Sequence, residues 1–269
     1  MRKRIIIIAV ALLAVVGIIV FLSSKKINKV AGAPGSSSAR AVLAQARALE
    51  AKGNLLESKS LYQKLVNDFP QSPEVVDWQK KVENINIKLL FSPVATPKSI
   101  IYQIRPGDTL DKIARNHKTT TELIMKSNNI NNALIMPGRK IKIWNAPFNI
   151  LVDKSQNILL LKDNEEILKT YLVSTGKDNC TPAGTFKIVN KLANPTWFKA
   201  GAIVPPQSSE NVLGTRWMGF NLAGYGIHGT TEPKDLGKQV TQGCVRLSNA
   251  DVEELYSIIP VGTEVTVIE

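Results

Sequence analysis

Residues 5–22 read IIIIAVALLAVVGIIVFL, without one polar or charged side chain. A stretch apolar on every face does not suit the surface helix of a water-soluble domain, which keeps one polar side. As a helix, its 18 residues would extend about 27 Å at 1.5 Å per residue, enough for the hydrocarbon core of a bilayer. Cleavable secretory signals carry a shorter apolar region of about 7–15 residues. Residues 1–22 are therefore read as an uncleaved N-terminal membrane anchor. The charge distribution agrees with this. A net charge of +12 invites a nucleic-acid reading, but Arg2, Lys3, Arg4, Lys25, Lys26, Lys29 and Arg40 stand in the first 40 residues with no acid among them. That leaves +5 for the remainder of the chain. The excess flanks the apolar run, as an anchor requires. Aromatic residues make up only 6% of the chain, too few for a general base-stacking platform, and no nucleic-acid partner is expected.

Behind the anchor, residues 23–38 (SSKKINKVAGAPGSSS) form a polar linker rich in serine, glycine and alanine. Residues 39–90 carry helical periodicity. Leu43, Ala46, Leu49 and Ala51 mark one helix, broken at Gly53-Asn54. Leu55, Leu61, Leu65 and Val66 mark a second, stopped before Pro70. Ser72-Pro73-Glu74 starts a third, with Val75, Val76, Trp78, Val82 and Ile85 inward and Ser72 as N-cap. The pattern resembles one tetratricopeptide-type helix pair with a following helix. It is read either as a module that docks a protein partner or as a helical spacer; a single unit of this kind buries little surface by itself. Residues 91–98 (FSPVATPK) are a short, stiff linker.

Residues 99–144 read as strand, helix, helix, strand. Ile101, Tyr102 and Ile104 make the first strand and Pro106-Gly107-Asp108 a turn. Thr109 caps a helix with Leu110, Ile113 and Ala114; Thr121 begins another; Pro137-Gly138 turns into a strand with Ile141 and Ile143. With Tyr102-Gln103-Ile104, Pro106-Gly107-Asp108-Thr109-Leu110, Ile113-Ala114, Asn129-Ile130 and Pro137-Gly138, this unit resembles a LysM domain. The resemblance implies binding to glycan strands containing N-acetylglucosamine, such as peptidoglycan. His117 is read as a surface residue.

Residues 147–269 change character again. Short alternating strands at Ile150–Asp153, Ile158–Lys162, Ile167–Ser174 and Phe186–Val189 are separated by turn signals, which argues for a mainly-β domain. A helix capped by Ser248, with Val252, Leu255 and Tyr256 inward, precedes a last strand holding Val265 and Val267. One of the two histidines and one of the two cysteines stand together in His228–Arg246, HGTTEPKDLGKQVTQGCVR. A thiol attacks a carbonyl as thiolate and needs a base and oxyanion donors. Cys244 is the candidate nucleophile and His228 its general base and acid. The Gly229 carbonyl is a candidate to orient the imidazole, and the Gly243 backbone is the candidate oxyanion donor. Arg246 is read as a clamp for a substrate carboxylate or as a brace of the loop; Thr241, Tyr225 and Arg216 are the other candidate substrate-binding residues, Arg216 with a structural or cleft-lining reading beside that one. Cys180 is read as a packed or half-exposed thiol. Two cysteines do not make a disulfide framework, and the cysteines and histidines lack metal-ligand spacing, so no metal and no cofactor is expected.

In combination, Thr181-Pro182-x-Gly184-x-Phe186, Leu213-Gly214-x-Arg216-Trp217-x-Gly219, Gly226-Ile227-His228-Gly229-Thr230 and Thr241-x-Gly243-Cys244-Val245-Arg246-Leu247 resemble the YkuD-type L,D-transpeptidase domain. Thr241 stands where the family usually has serine, and Gln242 where it often has histidine. The resemblance implies acyl transfer through a Cys244 thioester, with terminal D-alanine released from a stem tetrapeptide and an amine of a second stem as acceptor. Hydrolysis of the thioester, an L,D-carboxypeptidase, and a non-catalytic wall-binding scaffold are the alternatives. The fold class expected is thus multidomain: an N-terminal transmembrane helix, a small α-helical segment, a βααβ LysM-like domain and a mainly-β catalytic domain. The bulk of the chain is expected outside the cytoplasm of a bacterium, in periplasm or cell wall.

Overall fold

The structure is a computed structural model that describes residues 36–269, apart from residues 165 and 200. The anchor reading of residues 1–22 and most of the 23–38 linker lie outside the described residues. Among the described residues no helix is long and apolar enough to cross a membrane. The chain divides into two compact units, which meet in sequence at Val82 and Glu83.

The first unit contains α1 (Ser36–Ala51), α2 (Leu55–Asp68) and the opening turns of α3 (Val75–Leu90). Ser36–Ser38 are helical rather than part of a linker; serine suits the first turn, where free backbone N–H groups need acceptors. Gly53 turns the chain with φ +78°. Leu43, Ala46, Tyr62, Leu65 and Val66 are buried. The Ser58 hydroxyl donates to the Ala46 carbonyl at 2.9 Å, and Tyr62 donates to Glu50 at 3.1 Å. The third helix begins at Val75, two residues later than the Pro73 start that Ser72 as N-cap would give. Ser72 Oγ accepts the Glu74 N–H at 3.2 Å, which holds a turn ahead of the helix.

The second unit begins with the rest of α3 and the βααβ domain: β1 (Ser99–Gln103), α4 (Leu110–Asn116), α5 (Thr121–Ser127) and β2 (Lys140–Trp144). β1 and β2 pair antiparallel from Ser99↔Trp144 to Gln103↔Lys140. Thr109 and Thr120 cap the two helices by accepting the N–H of Lys112 and Leu123. Leu110, Ile113, Ile124, Ile141 and Ile143 fill a small core of their own. His117 lies edge-on to the Tyr102 ring at 5.5 Å.

This small domain is fastened to the domain that follows it. Lys126 Nζ donates to Ser257 Oγ at 2.8 Å, and the Thr120 hydroxyl donates to the Ser257 carbonyl. Lys142, 2% exposed, donates to the carbonyls of Leu89 and Ser92, and burial lowers its pKa to about 8. Lys98 reaches buried Asp163 at 2.6 Å and Glu166 at 2.8 Å. Lys98 is partly exposed, so solvent screens the pair, but its loss leaves the Asp163 carboxyl buried without a partner. Lys98→Ala is therefore expected to lower stability by about 1–2 kcal/mol at neutral pH, read from the midpoint of denaturant unfolding.

The remaining domain is mainly β. Its strands are β3 (Phe148–Asp153), β4 (Ile158–Asp163), β5 (Glu166–Leu172), β6 (Thr175–Gly176), β7 (Gly184–Ala193), β8 (Trp197–Lys199), β9 (Ala202–Val204), β10 (Arg216–Phe220), β11 (Gly226–His228), β12 (Gln239–Thr241), β13 (Val245–Arg246) and β14 (Glu264–Ile268). Eight of them form one sheet in the order β13-β11-β10-β7-β14-β3-β4-β5. β13 runs parallel to β11, and β14 parallel to β3. Val152, Leu159, Leu161, Ile188, Met218, Ile227, Val245 and Val265 fill its core. Against these pack Val252, Leu255 and Ile258 of α6 (Asn249–Ile258), a helix capped by Ser248, whose Oγ accepts the Asp251 N–H at 3.0 Å. The β8–β9 hairpin, with Phe198 and Ile203 paired and exposed at its surface, is an addition that the sequence pattern did not announce.

Candidate active site

Strand register assembles the site at the β13 end of the large sheet. Trp217 pairs with His228 across β10–β11, and His228 pairs with Arg246 across β11–β13. Directly paired residues project from the same face, so these three side chains form a row. Their neighbours Met218, Ile227 and Val245 turn the other way into the core. Cys244 stands two residues before Arg246, immediately ahead of β13. A second bridge holds β13 from its other side: Arg246 and Ser174 exchange both backbone hydrogen bonds at 2.8–2.9 Å.

The imidazole of His228 is buried, and its Nδ1 lies 2.7 Å from the Gly229 carbonyl. That contact assigns the proton to Nδ1 and leaves Nε2 with a lone pair. The Trp217 indole stacks on the imidazole at 6.0 Å and 22°, and is itself held by Nε1 donating to Asn190 Oδ1 at 3.0 Å. Burial lowers the His228 pKa to about 4; the Gly229 hydrogen bond opposes this and the Arg246 charge adds to it. Burial pushes the Cys244 thiol up, while the Gly226 backbone N–H and Arg246 pull it down. The resting pair is thus a neutral thiol and a neutral imidazole. Cys244 Sγ donates to the Gly224 carbonyl at 3.5 Å.

The loop ahead of the cysteine departs from the sequence expectation. Gly243 has φ +117°, a conformation that L side chains rarely adopt, and a Cβ there would stand 2.6 Å from Tyr225 Cε1. Its N–H is not free for an oxyanion: it donates to Thr241 Oγ1 at 3.2 Å. That leaves the Cys244 N–H as the candidate donor at this turn. Thr241 takes an orienting place: its buried hydroxyl accepts from Gly243 and donates to the Cys244 carbonyl at 2.7 Å, bracing the loop that carries Cys244. Thr241→Val, which removes both bonds, is expected to slow thiol acylation by about tenfold, whereas Thr241→Ser keeps the hydroxyl and the rate. Timed mass spectrometry of the acylated protein checks this.

Tyr225 does lie beside the nucleophile loop, with its half-buried ring against Gly243. Arg216 does not join the row. It alternates with Trp217 along β10 and turns to α6, where its guanidinium lies 5.4 Å over the Tyr256 ring, 4.0 Å from Glu253, and donates to the Thr215 carbonyl. Arg246 is 8% exposed and donates through Nη1 to Glu232 at 3.1 Å. Cys180 is an exposed free thiol, with Sγ 3.9 Å from the Thr241 carbonyl. Sequence reasoning gave no role to Trp217, Glu232 or Asn249. Asn249 Oδ1 accepts the N–H groups of Thr215 and Thr230, tying the segment after His228 to the start of α6.

A buried imidazole on β11 and a thiol just ahead of the paired strand β13, in a mainly-β domain that follows a small βααβ domain, make a candidate cysteine acyltransferase. Comparison with known proteins gives the family. Residues 102–144 match the LysM domain, and residues 147–267 match the YkuD L,D-transpeptidase catalytic domain. The chain is 34% identical over 176 residues to the L,D-transpeptidase YkuD of Bacillus licheniformis, covering 62% of this chain and 98% of that protein. It is 34% identical over 175 residues to YkuD of Bacillus subtilis, with the same coverage of 62% and 98%. It is also 38% identical over 126 residues to the L,D-transpeptidase YqjB of Bacillus subtilis, covering 45% and 70%. The chain belongs to the YkuD family of L,D-transpeptidases: it is an enzyme with a LysM domain joined to a mainly-β L,D-transpeptidase domain.

Proposed function

We propose that Cys244 and His228 carry out a two-step acyl transfer on peptidoglycan stem peptides, outside the cytoplasmic membrane to which residues 5–22 tether the chain. The observation that carries this reading is the His228–Arg246 register, which sets the imidazole beside the strand that Cys244 immediately precedes. Nε2 takes the thiol proton as sulfur attacks the carbonyl of the third stem residue. The Cys244 N–H receives the developing oxyanion. The leaving amine of D-alanine takes the proton back from the imidazolium. An amine of a second stem then resolves the thioester, whose bond energy makes a nucleotide unnecessary. The neutral resting pair supports this order, because no ion pair has to be separated before attack.

The anchor rests on the apolar run and its basic flanks, and the LysM domain supplies the affinity for glycan strands. Because that domain is fastened to α6 by Lys126 and Thr120, glycan capture and stem attack would be geometrically linked. The test is labelling of the full chain with a carbapenem, followed by peptide mass spectrometry. A covalent adduct on Cys244 is the expected result. An unlabelled Cys244 in folded protein would favour a wall-binding scaffold.

A further inference from the structure

The acceptor half of the reaction has no residue assigned to it, and the pair formed by Arg246 and Glu232 fits that vacancy in chemistry and position. Arg246 shares its register position with His228, and its charge acts on both His228 and Cys244. It is more than nine-tenths buried, yet its Nε has no hydrogen-bond partner among the described residues. A buried donor without an acceptor is costly, so this side of the guanidinium calls for an oxygen from elsewhere. Its other engaged atom, Nη1, is held by Glu232, whose side chain is 52% exposed. Glu232 follows Thr230, which accepts the Glu232 N–H at 2.9 Å and fixes the backbone there. The loop therefore sets a buried cation with spare donor capacity beside an accessible anion.

That arrangement complements an α-amino acid head group, with its carboxylate and ammonium on one carbon. The leaving group of the first step is such a head group, D-alanine. The acceptor nitrogen of the second step must come to the place that the leaving nitrogen vacated. We infer that Arg246 and Glu232 together form an acceptor subsite, Arg246 holding the carboxylate beside the incoming amine and Glu232 the ammonium before it is deprotonated. One ammonium proton goes to solvent. The C–N bond then forms as the C–S bond breaks, and a second proton passes through His228 to the departing thiolate. The inference rests on the transpeptidase reading and adds to it a preference: acceptors with a carboxylate on the amine-bearing carbon are used ahead of amines without one.

The test uses the full chain, the disaccharide-tetrapeptide as donor, and two acceptors that share one amine, D-leucine and D-leucinamide. Mass spectrometry first records the acyl-enzyme on Cys244, and then the ratio of aminolysis to hydrolysis products. Wild-type protein is expected to favour D-leucine over its amide by about tenfold, the size of one lost charge-assisted contact. Glu232→Gln is expected to lower the aminolysis-to-hydrolysis ratio for both acceptors by about tenfold. Equal ratios for the two acceptors, or a Glu232→Gln ratio unchanged from wild type, overturn the subsite while leaving the transpeptidase reading intact. Absence of any acyl-enzyme in the wild type overturns both.

Discussion

Replacing Cys244 with alanine is expected to drop the release of D-alanine from a stem tetrapeptide by about 10⁴-fold or more, because the covalent route disappears with the thiol. The protein should still fold. The side chain is half-buried at the edge of the sheet, its thiol contact with the Gly224 carbonyl is long, and Val245 and Leu247, which follow it into the core, are untouched. The variant should bind wall material as well as the parent, since the βααβ domain keeps its own core. Retained binding with lost turnover separates a catalytic thiol from a packing thiol. Cys180→Ala serves as the comparison: that thiol is exposed, and its removal should leave D-alanine release close to the parent's.

His228→Gln is expected to cost about 10²–10⁴-fold in the same assay, the usual worth of a positioned general base. Its second signature is in pH. The folded pKa of about 4 lies below the ordinary histidine value of 6.5. The base thus stays deprotonated through pH 5, and the acid limb of kcat/KM should fall near pH 4 rather than near pH 6.5. The same depression makes the folded state dependent on a neutral imidazole. Between pH 6.5 and 4 the unfolded chain binds a proton that the folded chain refuses. Stability from this group is therefore present above pH 6.5 and lost as pH falls, by about 3 kcal/mol at full effect. The stability difference between parent and His228→Gln, measured by denaturant unfolding at pH 7 and at pH 4, should shrink by that amount. A difference that does not change with pH would mean an imidazole in contact with solvent.

The candidate nucleophile and base could be picked out because they fall within a short stretch. Sequence order puts His228 before a loop and Cys244 after it, and parallel pairing of β11 with β13 is a short-range way to close that loop. The βααβ domain was legible for a similar reason: its turns and threonine caps are local signals. What depended on register was not legible. Arg216 and Trp217 are adjacent in sequence, and only the pairing of Trp217 with His228 decides which of them faces the site. The candidate oxyanion donor becomes the Cys244 N–H because the Gly243 N–H is taken by the Thr241 hydroxyl, a contact without a sequence signature. Glu232 reads as an ordinary loop acid until the fold sets Arg246 beside it. The β8–β9 hairpin is too short for periodicity to mark it.

The most direct measurement is product analysis after incubating the purified full chain with disaccharide-tetrapeptide. Free D-alanine together with a cross-linked dimer joined through the third residue of the donor stem is the expected result, with neither product formed by Cys244→Ala. Release of D-alanine and dimer by the parent and by Cys244→Ala alike, or no product from a parent that binds the substrate, would contradict catalysis by the Cys244–His228 pair.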